Sequence, residues 1–305
     1  MAKPRNLLAD FCVYLAVRLA VCVLQALPYS AGRSLMLLLA RLAYLVDKRH
    51  REVARDNLRQ AFPGQWSEVD LRRWVLDVYR HFAVMLVEMV HLPRKLYPNT
   101  WRRYVELEDG GLLVRALLSD RPVLLVTGHY GNWEMGGYAL ALFGFRSWAI
   151  ARPLDNPYLD RFLRQFREKT GQRLIAKKGE FELIEQVLRN RGLLCTLGDQ
   201  DAGQRGLFVD FFGRPASTHK AMAVLALEYR ADVLVAVARK VGEPMRYRIE
   251  VGCYLPAEEV QKYSVAELTQ QITTALERLI RRDPKQYFWL HRRWKHQPQR
   301  RRHAA

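Results

Sequence analysis

Residues Pro122 to Gly137, PVLLVTGHYGNWEMGG, constrain the fold of this chain more than any other stretch. Val123 to Thr127 is an unbroken apolar run of strand-forming residues, the pattern of a buried strand. Gly128 and Gly131 permit a tight turn, and Asn132 is placed to cap a helix beginning at Trp133. A strand passing directly into a helix is the unit of an α/β fold, and sites in open α/β sheets lie at the carboxyl ends of the strands. His129 and Glu134 fall at that junction.

The rest of the chain from Trp101 onward agrees with this reading. Strand candidates at 104–107, 123–127, 148–151, 193–197, 233–238 and 247–251 alternate with helix candidates near 111–118, 133–142, 157–170, 180–190 and 217–229. A last helix over 265–281 leads into a basic end. The expected fold is therefore α/β, a mixed sheet flanked by helices, preceded by a helical N-terminal region.

That region is where the apolar residues concentrate. Residues 7–27, LLADFCVYLAVRLAVCVLQAL, have the length of a membrane span but contain Asp10 and Arg18. Those two fall near one face of a helix, so the segment reads as amphipathic, lying in the interface or spanning with difficulty. Lys3 and Arg5 before it and a basic domain after it both favour the cytoplasmic side, which a single span cannot satisfy. The charges also interrupt what would be the core of a cleaved signal peptide. A second apolar helix is expected over 31–46, capped by Ser30, then a basic helix over 48–59 broken at Pro63-Gly64. A third, started by Ser67 and Asp70, runs to about His91 and is ended by Pro93 and Pro98. The expected organisation is an anchoring helix over 1–30, a helical region over 31–100, an α/β catalytic domain over 101–284 and a basic tail over 285–305.

The 305 residues carry 49 Lys plus Arg against 31 Asp plus Glu, a net charge of +18, which calls for an anionic partner. No helix-turn-helix, finger or RRM pattern accompanies the charge, so no nucleic acid is expected. The four cysteines have no CxxC spacing, which fits a reducing compartment and gives no structural zinc. Cys12 and Cys22, inside apolar helical stretches, are expected to behave as small buried hydrophobes.

With eight histidines and 31 acidic residues in the chain, about one His-x4-Asp/Glu match arises by chance, so position rather than spacing gives this one meaning. His129 and Glu134 can meet only if His129 precedes the helix and Glu134 sits in its first turn, since on a continuous helix their side chains diverge. A carboxylate so placed holds one imidazole nitrogen protonated and leaves the other as a base, an arrangement suited to deprotonating a hydroxyl. Backbone N–H groups near Gly131 and Asn132, or an arginine, are the candidates for stabilising an oxyanion. The spacing is not that of a zinc pair, and the chain has no G-x-S-x-G elbow, P-loop or dinucleotide fingerprint. On the residues alone, a satisfied histidine at a strand end remains the alternative, as does a non-enzymatic basic protein bound to a membrane surface.

GHYGNWE, ARPLDNPYLD, GDQDAGQRGLFVDFFGRPAST and YFWLHRRWK, in that order after an apolar N-terminus and RDNLRQAFP, closely resemble the bacterial lipid A late acyltransferases of the lauroyl/myristoyl type. The resemblance covers nearly the whole chain. It implies a glycerolipid-acyltransferase-like fold and, without any cofactor or metal, transfer of a fatty acyl group from acyl carrier protein to a hydroxyl of a lipid A precursor at the cytoplasmic face of the inner membrane. The implied partners are acyl carrier protein, a glycolipid acceptor and an anionic membrane surface, all acidic and all suited to a basic protein.

By the same resemblance His129 is the base and Glu134 its partner. Arg152 and Arg167 match arginines with an implied role in binding substrate phosphate, and Asp199 an acid giving structural or polar support. Phe211 and Phe212 match an aromatic element that would wall an acyl tunnel, although two adjacent phenylalanines are more often simple core, and Arg292 and Arg293 match a signature that fastens the tail or meets phosphate. His291, with nothing near it in sequence to orient it, is not expected to be a second base. Asp210 stands where the family often carries proline, so the shape of the acyl pocket, and with it the chain length, stays open. The wider superfamily acylates other glycolipids, including phosphatidylinositol mannosides, and acyl-CoA is an alternative donor.

Overall fold

The computed structural model describes residues 6–169, 171–176 and 179–298. Four helices open it. α1 (Leu7–Ala26) is capped by Asn6, whose side chain accepts from the N–H groups of Leu8 and Ala9. It is long and apolar enough to cross a membrane, and Leu24 is its one buried residue. Cys12 and Cys22 are therefore exposed on its surface rather than buried, against expectation. α2 (Tyr29–Val46) begins one residue after Pro28, with Ser30 already inside the helix instead of capping it. The proline presets the backbone entering the helix, and it has no N–H to leave unpaired. α3 (Lys48–Ala61) is capped by Asp47.

α4 (Glu68–Lys95) starts at Ser67 as its sequence predicts, but it passes through Pro93 and ends only at Lys95. A proline there removes one hydrogen bond near the end of a long helix whose inner face is already buried through Leu92. Packing of that face outweighs the local loss.

The α/β part supplies β1 (Val105–Leu107), α5 (Gly110–Leu117), β2 (Val123–Thr127), α6 (Trp133–Leu142), β3 (Ser147–Ala151), α7 (Pro157–Glu168) and β4 (Gln172–Ala176). It continues with α8 (Phe181–Arg189), β5 (Leu193–Leu197), the pair β6 (Leu207–Phe211) and β7 (Arg214–Thr218), α9 (Ala221–Glu228), β8 (Asp232–Gly242), β9 (Arg246–Leu255), α10 (Ala257–Val260) and α11 (Val265–Arg282). Seven strands form one mixed sheet in the order β1-β9-β8-β2-β5-β3-β4, parallel except where β8 and β9 make a hairpin. Residues 217–218, expected to open a helix, belong instead to β7, and α9 starts only at Ala221.

Alternation along the strands divides the core. Leu124, Val126, Leu194 and Val235 pack with Ile184 of α8, Leu225 of α9 and Leu276 of α11. Leu125, Cys195, Leu234 and Ala236 face the other way, toward Leu113 of α5. After α11, residues 283–298 run as an irregular strap across the carboxyl ends of the strands. The RDNLRQAFP stretch holds the strap: the Asn57 side chain donates to the carbonyls of Trp289 and His291, both at 2.7 Å.

Candidate active site

β2 and β5 are parallel neighbours with Thr127 opposite Leu197. Each chain continues two residues past that pair, so His129 and Asp199 arrive side by side although 70 positions separate them. His129 Nδ1 lies 2.8 Å from Asp199 Oδ1, and the His129 backbone N–H donates to Asp199 Oδ2 at 2.9 Å. Asp199 is buried and acceptor-only when ionised, so the ring proton sits on Nδ1 and Nε2 carries the lone pair. Burial pushes the Asp199 carboxyl up, but the imidazole charge and the hydrogen bonds from His129 outweigh it and hold the carboxyl below its ordinary range. Burial likewise pulls the His129 pKa down, and Asp199, with a smaller contribution from Glu134, outweighs that and leaves it raised.

Glu134 does not hold the imidazole, and this corrects the expected pairing. It sits in the first turn of α6, as required, but its carboxylate accepts from Arg167 Nε at 2.9 Å and also from Arg167 Nη2, and from the Trp133 indole N–H at 3.1 Å. Arg167 reaches it from the last turn of α7. The pair is largely buried, the side chains 19% and 7% exposed, which makes this fork geometry a rigid one.

The turn between His129 and α6 is clamped on both sides. Gly131 donates its N–H to the Gln286 carbonyl, Asn132 donates its own to the Ala238 carbonyl, and Phe288 of the strap donates to the His129 carbonyl. The N–H groups of Gly131 and Asn132 are thus spent on structure and are not oxyanion donors as expected. Gly131 has φ of 62°, and a Cβ there would collide with the Ala238 carbonyl oxygen. Asn132 caps α6 through Oδ1, and its Nδ2 donates to the Tyr247 hydroxyl, which in turn donates to the buried Glu88.

These groups open on a cavity of about 890 Å³. Its walls are largely apolar, and among the described residues the cations Arg152, Arg164, Arg167, Arg205 and Lys220 line it. The edge of the Trp133 ring stands against His129 with centroids 5.0 Å apart, and Gln200 Nε2 is 3.4 Å from His129 Nε2.

The structure brings His129, Glu134, Arg152, Arg167 and Asp199 to one place. Arg152 is there only as a rim residue, paired with Asp155 at 3.1 Å and 76% exposed. Phe211, Phe212, Arg292 and Arg293 are not on the cavity lining, which corrects their reading as substrate contacts, while the fastening role given as the alternative for Arg293 agrees with its bonds. Phe211 and Phe212 do not wall the cavity but join Phe62, Tyr287, Trp289 and Trp294 in an aromatic core. Phe212 and Gly213, both at positive φ, form the tight turn from β6 to β7, and Asp210 accepts from the Gly213 N–H, so Asp210 shapes a hairpin rather than a pocket.

Arg293 is buried and donates to the Ser217 carbonyl at 2.5 Å and the Thr218 hydroxyl at 2.6 Å, fastening the strap from within. Arg292 is exposed and away from the cavity lining. His291 Nε2 accepts the Asp201 N–H at 3.0 Å. Arg300 to Arg302 of the basic tail lie outside the described residues. Trp133 and Gln200 were missed in the sequence although each adjoins a named residue, because neither carries the charge or nucleophilicity that marks a candidate.

An imidazole held by a buried carboxylate, on the lining of a largely apolar cavity with an arginine beside it, is an arrangement that suits group transfer involving a lipid substrate. The family described as bacterial lipid A biosynthesis acyltransferase matches residues 3–296, and the chain belongs to that family. It is 26% identical over 255 residues to a lipid A biosynthesis palmitoleoyltransferase of Escherichia coli, covering 82% of this chain and 80% of that protein. To the lauroyltransferase of the same organism it is 27% identical over 281 residues, 90% and 88% of the two chains. A phosphatidylinositol mannoside acyltransferase of Mycobacterium tuberculosis is 27% identical over 198 residues, 63% and 61% of the two chains. The protein is an acyltransferase of lipid A biosynthesis with a membrane-associated apolar helix.

Proposed function

We propose that the enzyme moves a fatty acyl chain from acyl carrier protein to a hydroxyl of a lipid A precursor, with His129 as the base. The observation that carries this reading is the imidazole whose Nδ1 is held by Asp199 while Nε2 faces the apolar cavity. Nε2 takes the proton of the acceptor hydroxyl, and the oxygen attacks the thioester carbonyl. The new C–O bond forms, the C–S bond breaks, and the imidazolium returns its proton to the departing thiolate. Asp199 supports the charge on the ring during the step.

Arg167, fixed by its bonds to Glu134, supplies the positive charge that the tetrahedral oxyanion needs. Glu134 in this reading positions Arg167 and adds to the field at His129. The apolar walls of the cavity suit the acyl chain, and its cationic rim suits the phosphates of a lipid A precursor and an acidic carrier protein. α1, with the apolar flank of α2 beside it, holds the enzyme to the cytoplasmic face of the inner membrane.

Mass spectrometry of total lipid from a host with the gene, without it, and with His129→Ala tests the reading. A lipid A species heavier by one acyl chain is expected only with the wild-type gene. A shift in a different glycolipid instead, such as an acylated phosphatidylinositol mannoside, would move the acceptor assignment and keep the chemistry. Wild-type levels of product from His129→Ala would remove the base.

A further inference from the structure

α7 stands between the N-terminal helix and the catalytic cavity. One side carries Tyr158 and Phe162, one turn apart, and these meet the stripe Phe11, Tyr14 and Arg18 of α1. Ring centroids are 5.3 Å apart for Phe11 and Tyr158, 6.0 Å for Tyr14 and Tyr158, and 6.4 Å for Tyr14 and Phe162, and the Arg18 guanidinium lies 4.8 Å over the Phe162 ring. Asn156, the N-cap of α7, accepts from the N–H groups of Tyr158 and Leu159 and donates its Nδ2 to the Asp10 carbonyl at 2.7 Å. The start of α7 is thereby bolted to α1.

The opposite side of α7 carries Asp160, Leu163, Arg164 and Arg167 into the cavity wall. At 100° per residue these positions point away from Tyr158 and Phe162. None of the α7 residues, all of them described, is fully buried. A helix with so little buried surface of its own depends on its neighbours for its place.

We propose that α1 supports the α7 wall of the catalytic site as well as serving as an anchor, and that Tyr158 and Phe162 are positioning residues which, seated on Phe11, Tyr14 and Arg18, hold Arg167 against Glu134. This deepens the reading given above and rests on it, since it assigns Arg167 a place beside the reacting atoms. Seating α1 on α7 also ties membrane attachment to catalysis, because the helix that binds lipid is the one that sets the arginine.

The groups facing His129 are Asp199 after β5, Glu134 on α6, Arg167 on α7 and His291 on the strap. Of the first three, Asp199 and Glu134 raise its pKa and Arg167 lowers it. Withdrawing Arg167 therefore moves the acid limb of the rate profile to higher pH, a signature that a loss of stability alone does not produce.

The test compares purified full-length wild type with Arg167→Ala, the pair Tyr158→Ala/Phe162→Ala, the pair Phe11→Ala/Tyr14→Ala, and Leu19→Ala, which alters a lipid-facing position of α1. Acyl transfer from lauroyl and palmitoyl carrier protein to a lipid A precursor is followed across pH, with vesicle sedimentation and melting as companions. Both pairs are expected to lower kcat about ten- to hundredfold, with little change in KM for the donor. They should shift the acid limb upward as Arg167→Ala does and still sediment with vesicles. Tyr158→Phe/Phe162→Tyr, which keeps both rings, should restore wild-type behaviour, as should Leu19→Ala.

The α1-side pair leaves the α/β domain untouched, so a folding failure of the α7 pair does not decide the matter. If Arg167→Ala shifts the profile and the α1-side pair does not, the inference is overturned and the catalytic reading stands. If Arg167→Ala changes neither kcat nor the profile, both are overturned.

Discussion

The catalytic assignment rests on single atoms, and its sharpest consequences are for His129, Asp199, Glu134 and Arg167. His129→Ala should lower turnover by about 10²- to 10⁴-fold, the usual worth of a general base, in a protein that still folds, as circular dichroism and product mass spectrometry will show. The base must be neutral, and the pKa of His129 is raised, so activity should rise with pH only above the ordinary imidazole range. Asp199→Asn keeps the shape but takes away the charge that raises this pKa. The acid limb should then move to lower pH while kcat falls, opposite in direction to the shift expected for Arg167→Ala. Glu134→Ala takes the Glu134 carboxylate from the largely buried Arg167. Removing one partner of such a hydrogen-bonded pair costs about 1–3 kcal/mol, which denaturant unfolding of the variant will measure.

At the scale of elements, the turn from β2 to α6 is fixed by three backbone hydrogen bonds and one glycine with no room for a side chain. Gly131→Ala should destabilise by about 3 kcal/mol or more through strain and collision, visible as a lowered melting temperature together with lost turnover. Much of this region was legible locally. Val123 to Thr127, the Asn132 cap and the α6 bounds depend on residues adjacent in sequence, and the structure has them as read.

β4 was not legible, because QRLIA alternates weakly and the strand earns its place at the sheet edge only by pairing with β3. The β6–β7 hairpin was hidden for a similar reason. Its turn falls at Phe212-Gly213, and phenylalanine is an unusual choice for positive φ. Pro93 read as a helix end because the gain that overrides it comes from tertiary packing of α4.

For the whole molecule, the apolar N-terminal surface is wider than one helix. Leu35, Leu38, Leu39, Leu42 and Leu45 of α2 form an exposed stripe at helical spacing. A protein lacking residues 1–27 should therefore still sediment with vesicles of anionic lipid, and adding Leu38→Glu and Leu42→Glu should release it. Full release by the truncation alone would leave the membrane contact to α1.

The sequence by itself determined the α/β class, the apolar N-terminus and the placement of His129 at a strand end, because strand, turn and cap signals act over a few residues. Four motifs in order also carried the family resemblance. Only the tertiary structure decided which carboxylate holds the imidazole. Asp199 reaches His129 through the register of β2 and β5, two strands that become neighbours only after α6, β3, α7, β4 and α8 have been laid down between them. Glu134, near in sequence, is turned by the first turn of α6 toward Arg167, a residue 33 positions away on another helix. Spacing along a chain limits which side chains can meet, and the pairing that forms is set by how the sheet is ordered.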